Sequence, residues 1–157
     1  MGDMEMPKTG PEHARLLAFV GEWEGDEELT PSAWGPGGAA FGRMSFRADL
    51  DGFAVIQDYI EQKDSHITFR GHGVLTVDPQ SKDILWYWFD SIGFPPDEPA
   101  RGRFEGDVLT LNRVSARGAA RYVYRITASS CDFSIENKFP GDADFTLFMK
   151  GKYARKD

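Results

Sequence analysis

Between Met44 and Leu50 the chain alternates apolar and polar residues, with Met44, Phe46, Ala48 and Leu50 set against Ser45, Arg47 and Asp49. A period of two is the mark of a half-buried strand. Asp51-Gly52 follows, a strong hairpin signal, and residues 53–61 run back as the partner strand. Strand-like segments recur at 67–77, 84–89, 101–105, 108–114, 119–127, 131–139 and 145–154, and residues 26–29 continue an earlier one. Asp78-Pro79, Gly106-Asp107, Gly118, Ser129-Ser130 and Pro140-Gly141-Asp142 separate them. Short strands at such spacing predict an antiparallel meander, and closing it removes the exposed edges. The expected fold is all-β, a single antiparallel up-and-down β-barrel of about ten strands with one short N-terminal helix.

The helix comes first. Thr9 and Glu12 have the spacing of a capping box, with Pro11 in the first turn. His13, Leu16, Leu17 and Val20 share one face over about three turns, and Gly21 stops the run. Gly21-Glu22-Trp23-Glu24-Gly25 follows, a large aromatic between two glycines. Glycine in a strand marks a bend or a close backbone approach, and a tryptophan beside it fills the space opened. Gly21, Trp23 and Gly25 are therefore expected to be structural, closing the bottom of the barrel. Residues 1–9 are expected to be a flexible N-terminus, with 10–157 forming one domain. Residues 31–38, with Trp34 among them, and 93–99, with three prolines, read as loops. The run from Gly35 to Ala40 fits a dinucleotide-binding pattern by letter, but it neither follows a hydrophobic strand nor opens a helix.

Charge narrows the function. At a net −7 the chain lacks the basic footprint of a nucleic-acid binder and would be repelled by an anionic membrane surface. No stretch approaches a membrane span, and the acidic start has no apolar core of a signal peptide, so a cytoplasmic protein is expected. Aromatic residues make up 13% of the chain, enough to furnish the walls of an interior cavity. Residues 54–60 and 84–89 are apolar on both faces, which predicts cover on the outside by the helix or by a second copy in a homodimer.

These pieces resemble a bacterial family of unknown function with calycin-like barrels, similar in shape to lipocalins, fatty-acid-binding proteins and nitrobindin-type haem barrels. The matching residues are the helix running into Gly21–Gly25, Asp51-Gly52-Phe53 with Tyr59 downstream, and Phe69-Arg70-Gly71-His72-Gly73 leading to Asp78. Trp88-Phe89-Asp90-Ser91 with Gly93 and a closing strand at Gly151-Lys152-Tyr153 complete them. The resemblance implies an architecture and a habit of binding small molecules, by analogy of fold. A haem of the nitrobindin type would need a proximal histidine on a late strand. The last histidine here is His72; Tyr122, Tyr124 or Tyr153 could substitute only in principle, and no cofactor is expected.

No metal site is expected either, since His66 and His72 on one straight strand would lie roughly 20 Å apart. Cys131 reads as a small packed residue rather than a nucleophile, and no nucleophile-elbow motif is present. Arg121 and Arg125 read as solvated charges on the outer face. The candidate ligand-binding residues are Gln57 and Tyr59 on one strand face, Trp86, Trp88 and Asp90 on a second, and His72, with Arg70, on a third. Asp90 either orients a neighbour inside the cavity or starts the turn into the proline-rich loop. The preferred reading is a non-enzymatic barrel that binds a small, largely apolar ligand. One alternative is an isomerase- or hydrolase-type enzyme with Asp90 or His72 as general base, no catalytic residue being assigned. The other is a filled barrel that acts as a dimerisation module.

Overall fold

The computed structural model describes residues 5–33 and 35–156. Ten strands form a closed barrel in which each neighbours the next in sequence, and β1 closes onto β10. They are β1 (Gly21–Leu29), β2 (Gly38–Asp49), β3 (Ala54–Lys63), β4 (His66–Val77) and β5 (Ile84–Asp90), then β6 (Ala100–Glu105), β7 (Val108–Ser115), β8 (Gly118–Ile126), β9 (Ser130–Lys138) and β10 (Thr146–Lys156). Every pairing is antiparallel. The all-β barrel with one short helix is thus the observed fold.

The helix α1 (Pro11–Leu16) is shorter than its apolar pattern suggests. It gives way to a 3-10 turn over Leu17–Phe19, which drives Phe19 into the barrel instead of continuing along the surface. Its N-cap is Gly10, not Thr9, and the ring of His13 accepts the Gly10 N–H at 3.0 Å. At the other end Gly21 adopts φ +137°, a conformation that favours glycine, and turns the chain into β1. Three carbonyls at this junction are claimed by side chains. Trp23 Nε1 donates to Phe19 O at 2.9 Å, and Arg155 donates to Val20 O at 2.6 Å and Ala18 O at 3.2 Å. The Arg155 guanidinium also lies 4.2 Å above the Trp23 ring. Phe19 then packs on Phe46 and Tyr124 with ring centroids 5.2 and 5.1 Å away. Gly25 sits where β1 and β10 approach so closely that a Cβ would strike the Lys152 carbonyl. Together these contacts plug the end of the barrel nearest the helix.

Two other local expectations are adjusted. The strand β2 starts at Gly38, so Gly38, Ala39 and Ala40 pair with Leu29, Glu28 and Glu27 rather than lying in a loop. Trp34 lies outside the described residues. The β2–β3 hairpin turns through Leu50–Gly52, with Leu50 and Asp51 as well as Gly52 at positive φ. The weakest seam is between β5 and β6, where only Ile84, Leu85 and Trp86 pair across. Beyond Trp86 the last residues of β5 pair with β4 alone, and the barrel wall opens there toward residues 91–99.

Candidate functional site

Below the level of Trp86 the barrel is solid: Leu75, Ile84, Leu109, Leu111, Ile126 and Cys131 are almost wholly buried beside the Phe19 plug. Above it lies a cavity of about 600 Å³, open at the end opposite the helix, a volume in the usual range for small-molecule sites. Its floor is aromatic. Trp86 meets Tyr122 edge-on at 4.8 Å, and Phe133 stacks against Tyr124 at 4.3 Å. Its rim carries Lys63, Arg113 and Asp97 along with Phe94, Pro95 and Pro96 of the loop after β5.

Gln57, Tyr59, Trp86, Trp88 and Asp90 all border this cavity. His72 does not. It stands on the outer face of β4 with 71% of its side chain exposed, its Nδ1 2.6 Å from Asp58. The cause is the glycine on either side. Gly71 and Gly73 take the inward positions, where a Cβ would overlap the Trp88 indole or collide with Gln57 and Trp86. Residues 70 and 72 are therefore turned outward by the alternation of the strand. The expectation that Arg70 and His72 share an inward face is corrected accordingly. Arg121 is outward too, 3.8 Å from Glu136.

The polar groups of the floor are largely committed to one another. The Gln57 carbonyl accepts Trp86 Nε1 at 3.1 Å, and its amide donates to the Tyr124 hydroxyl at 3.4 Å. Because an indole N–H can only donate, the Gln57 amide orientation is fixed by Trp86. Asp90 starts the turn, its Oδ1 accepting the Ile92 N–H at 3.0 Å, while its Oδ2 accepts Trp88 Nε1 at 2.9 Å rather than meeting Tyr59, Gln57 or an arginine. The Tyr122 hydroxyl and the Arg113 guanidinium have no hydrogen bond or ion pair among the described residues; Arg113 lies 5.8 Å from the Tyr122 ring.

A second polar group forms the wall on the side of β1, β3 and β10. The Glu27 carboxylate is buried, 3% exposed, and its Oε2 accepts the hydroxyls of both Tyr59, at 2.5 Å, and Tyr153. Gly42 and Gly151 make this possible, since a Cβ on either would strike the Glu27 carboxylate or the Tyr153 ring. Glu61, 7% exposed, stands beside them: its Oε1 accepts Thr68 Oγ1 at 3.2 Å and its Oε2 is 3.4 Å from the Tyr59 hydroxyl. Burial raises Glu27 from 4.5 to about 7, against the two phenol donors, which favour its charged form. The same burial, with Glu27 nearby, pushes Tyr59 and Tyr153 far above the ordinary phenol range. Glu27 Oε1 has no partner among the described residues, which costs about 1–3 kcal/mol for a buried polar atom and calls for a function.

Glu27 and Glu61 were legible by phase alone. Counting by twos from Trp23 through Gly25 reaches Glu27, and from Gln57 through Tyr59 reaches Glu61. The acidic run Asp26-Glu27-Glu28 reads instead as a solvated strand end. Cys131 is buried, and burial pushes its thiol up to about 12, so it is not poised as a nucleophile. Among the described residues no group of three or more His, Cys, Asp or Glu is placed to hold a metal ion. None of the three histidines borders the cavity, and of the inward tyrosines Tyr124 and Tyr153 are already hydrogen-bonded to Gln57 and Glu27.

A family model described as a protein of unknown function, DUF1579, matches residues 8–155. The chain belongs to the DUF1579 family. No curated protein matches the sequence. Among solved structures, that of Rv2717c from M. tuberculosis is similar, with a TM-score of 0.74 at 15% identity over 96% of this chain and 100% of that one. At that identity the likeness carries the fold alone. The DUF1579 chain is thus an aromatic-rich ten-stranded barrel, and among its described residues no helix is long and apolar enough to cross a membrane.

Proposed function

We propose that this DUF1579 barrel binds a small, largely apolar ligand in its interior cavity, in the manner of calycin barrels, without a resident cofactor. One observation carries the reading: a cavity of about 600 Å³ bordered by Trp86, Trp88, Tyr122 and Phe133, whose two indole N–H groups are satisfied within the wall. Apolar surface that stays wet in the empty protein gains about 25 cal/mol per Å² when a ligand covers it. The competing idea of a wholly filled barrel has no support from a cavity of this size. Acid–base catalysis needs titratable groups that converge at the cavity. His72 is on the wrong face for it, Asp90 is tied to Trp88 and Ile92, and of the Glu27, Glu61 and Tyr59 cluster only Glu61 and Tyr59 border the cavity. Two further elements belong to the same proposal: a cytoplasmic setting, and a homodimer formed through the half-exposed outer residues Tyr87 and Phe89 of β5.

The test is a titration of tryptophan emission with naphthalene-type probes. Saturable quenching with one site per chain is expected, and it is abolished by Ala120→Trp, which fills the cavity from β8. Emission that declines linearly with probe, identically in both proteins, refutes the reading. Sedimentation velocity settles the dimer: a monomer at all concentrations removes that element and leaves the cavity untouched.

A further inference from the structure

We propose that the phenolic oxygens of Tyr59 and Tyr153, with the Glu61 carboxylate beside them, form the polar recognition end of the cavity, and that this end takes a hydroxyl group carried on an otherwise apolar ligand. The inference rests on the ligand-binding reading above and names the chemistry of that ligand. A phenol has one hydrogen to donate and lone pairs to accept. Both hydrogens here are turned away from the cavity onto Glu27 Oε2. What Tyr59 and Tyr153 present inward is therefore acceptor only. The Glu61 carboxyl adds another acceptor oxygen; its Oε1 is taken by Thr68, and its Oε2 lies 3.4 Å from the Tyr59 oxygen. All three residues border the cavity, and the two indole donors of its floor are spent elsewhere, Trp86 on Gln57 and Trp88 on Asp90. This end of the wall accepts and does not donate. A ligand hydroxyl supplies the missing hydrogen.

The body of such a ligand has a place beside it. Phe69 and Trp88 stack nearly parallel, 6.4 Å apart at 12°, and the Tyr59 ring lies 5.9 Å and 6.2 Å from them. A carboxylate would instead be repelled by Glu61 and Glu27 and would have to bind at the rim, near Arg113 or Lys63.

Protonation of Glu27 alters the wall. The groups that face it are Tyr59, Glu61 and Lys63 from β3 and Tyr153 from β10, while β2 offers only Gly42 there. Ionised, Glu27 leaves two hydrogens among the Tyr59, Oε2 and Tyr153 oxygens. A proton taken up on Oε2 makes three and frees a phenol hydrogen to point at the ligand, whereas one on the unpartnered Oε1 leaves both phenols donating to Oε2. The Glu27 pKa, raised to about 7, places this change near neutrality, so the preference for a hydroxyl is strongest on the alkaline side.

The experiment compares naphthalene, 2-methoxynaphthalene, 2-naphthol and 2-naphthoate by calorimetry at about pH 8 and about pH 6. At the higher pH 2-naphthol should bind about tenfold or more tightly than the ether and the hydrocarbon, with the margin narrowing at the lower pH. The Tyr59→Phe variant, checked for folding by circular dichroism, should lose the margin and keep the hydrocarbon affinity. Equal affinity for the three neutral probes overturns the inference and leaves ligand binding standing. Tightest binding of 2-naphthoate also overturns it, moving recognition to Arg113 and Lys63. Failure of every probe to bind removes both readings.

Discussion

Replacing Glu27 by Gln should change how stability depends on pH, because the fold favours the protonated acid. The carboxyl is raised from 4.5 to about 7 by burial between β1, β3 and β10. Below about pH 4.5 the folded and unfolded chains both carry the proton, and the group costs the fold nothing. As pH rises from there to about 7, the unfolded chain ionises while the fold still holds its proton, so stability falls. Above about pH 7 both are ionised and the loss levels off. At 1.36 kcal/mol for each pH unit between the two values, the total is about 3 kcal/mol. His13 acts in the opposite sense. Burial lowers it from 6.5, so it removes stability as pH falls through that value and below. Urea unfolding of both proteins at half-unit steps from about pH 4.5 to about pH 8 separates the two, since His13 is common to both and cancels in the difference. The wild type should lose about 3 kcal/mol relative to Glu27→Gln across the interval, with a plateau above neutrality. Parallel curves would mean that Glu27 ionises like a surface carboxylate, and the argument from its burial would fail.

Other perturbations address the plug and the wall. Trp23→Ala removes a side chain 1% exposed, with its bond to Phe19 O and the Arg155 stack, and should cost about 3–5 kcal/mol in chemical unfolding; a loss below about 1 kcal/mol would contradict the plug. Gly71→Ala places a methyl against the Trp88 indole and should shift tryptophan emission and weaken probe binding, whereas unchanged emission and affinity would show that Trp88 does not lie over β4. His72→Ala should leave probe affinity unchanged within about twofold and stability within about 1 kcal/mol, because it removes only an exposed pair with Asp58. A tenfold loss of affinity would place His72 at the cavity after all.

Much of the barrel was written in its alternation. Met44 and Phe46 announce β2, although Ala48 is exposed and Leu50 lies in the turn beyond it, and Trp86-Tyr87-Trp88-Phe89-Asp90 assigns its own inner and outer faces once the tryptophans are taken as buried. The glycines were harder to interpret. Beside His72, Gly71 and Gly73 suggest an exposed polar residue as readily as a ligand contact, and only the indoles of a neighbouring strand reveal that the glycines hold the inward positions. Glu27 was hidden for a related reason. An acidic triplet is ordinarily solvated, and what buries its middle member is the absence of side chains at Gly42, on the adjacent strand, and at Gly151. The helix was overestimated because its apolar spacing continues through residues that wind into a 3-10 turn to seat Phe19. The two-residue period gives Glu27 its inward phase, but its burial, like the outward turn of His72, depends on contacts between neighbouring strands that no local period records.

Native mass spectrometry of the purified protein reads the occupancy of the barrel interior. The expected mass exceeds that of the bare chain by a single small molecule, released on mild collisional activation and displaced by an added apolar probe; in Ala120→Trp the extra mass should be absent. A wild-type chain that flies only at its bare mass, even with saturating probe, would contradict ligand binding.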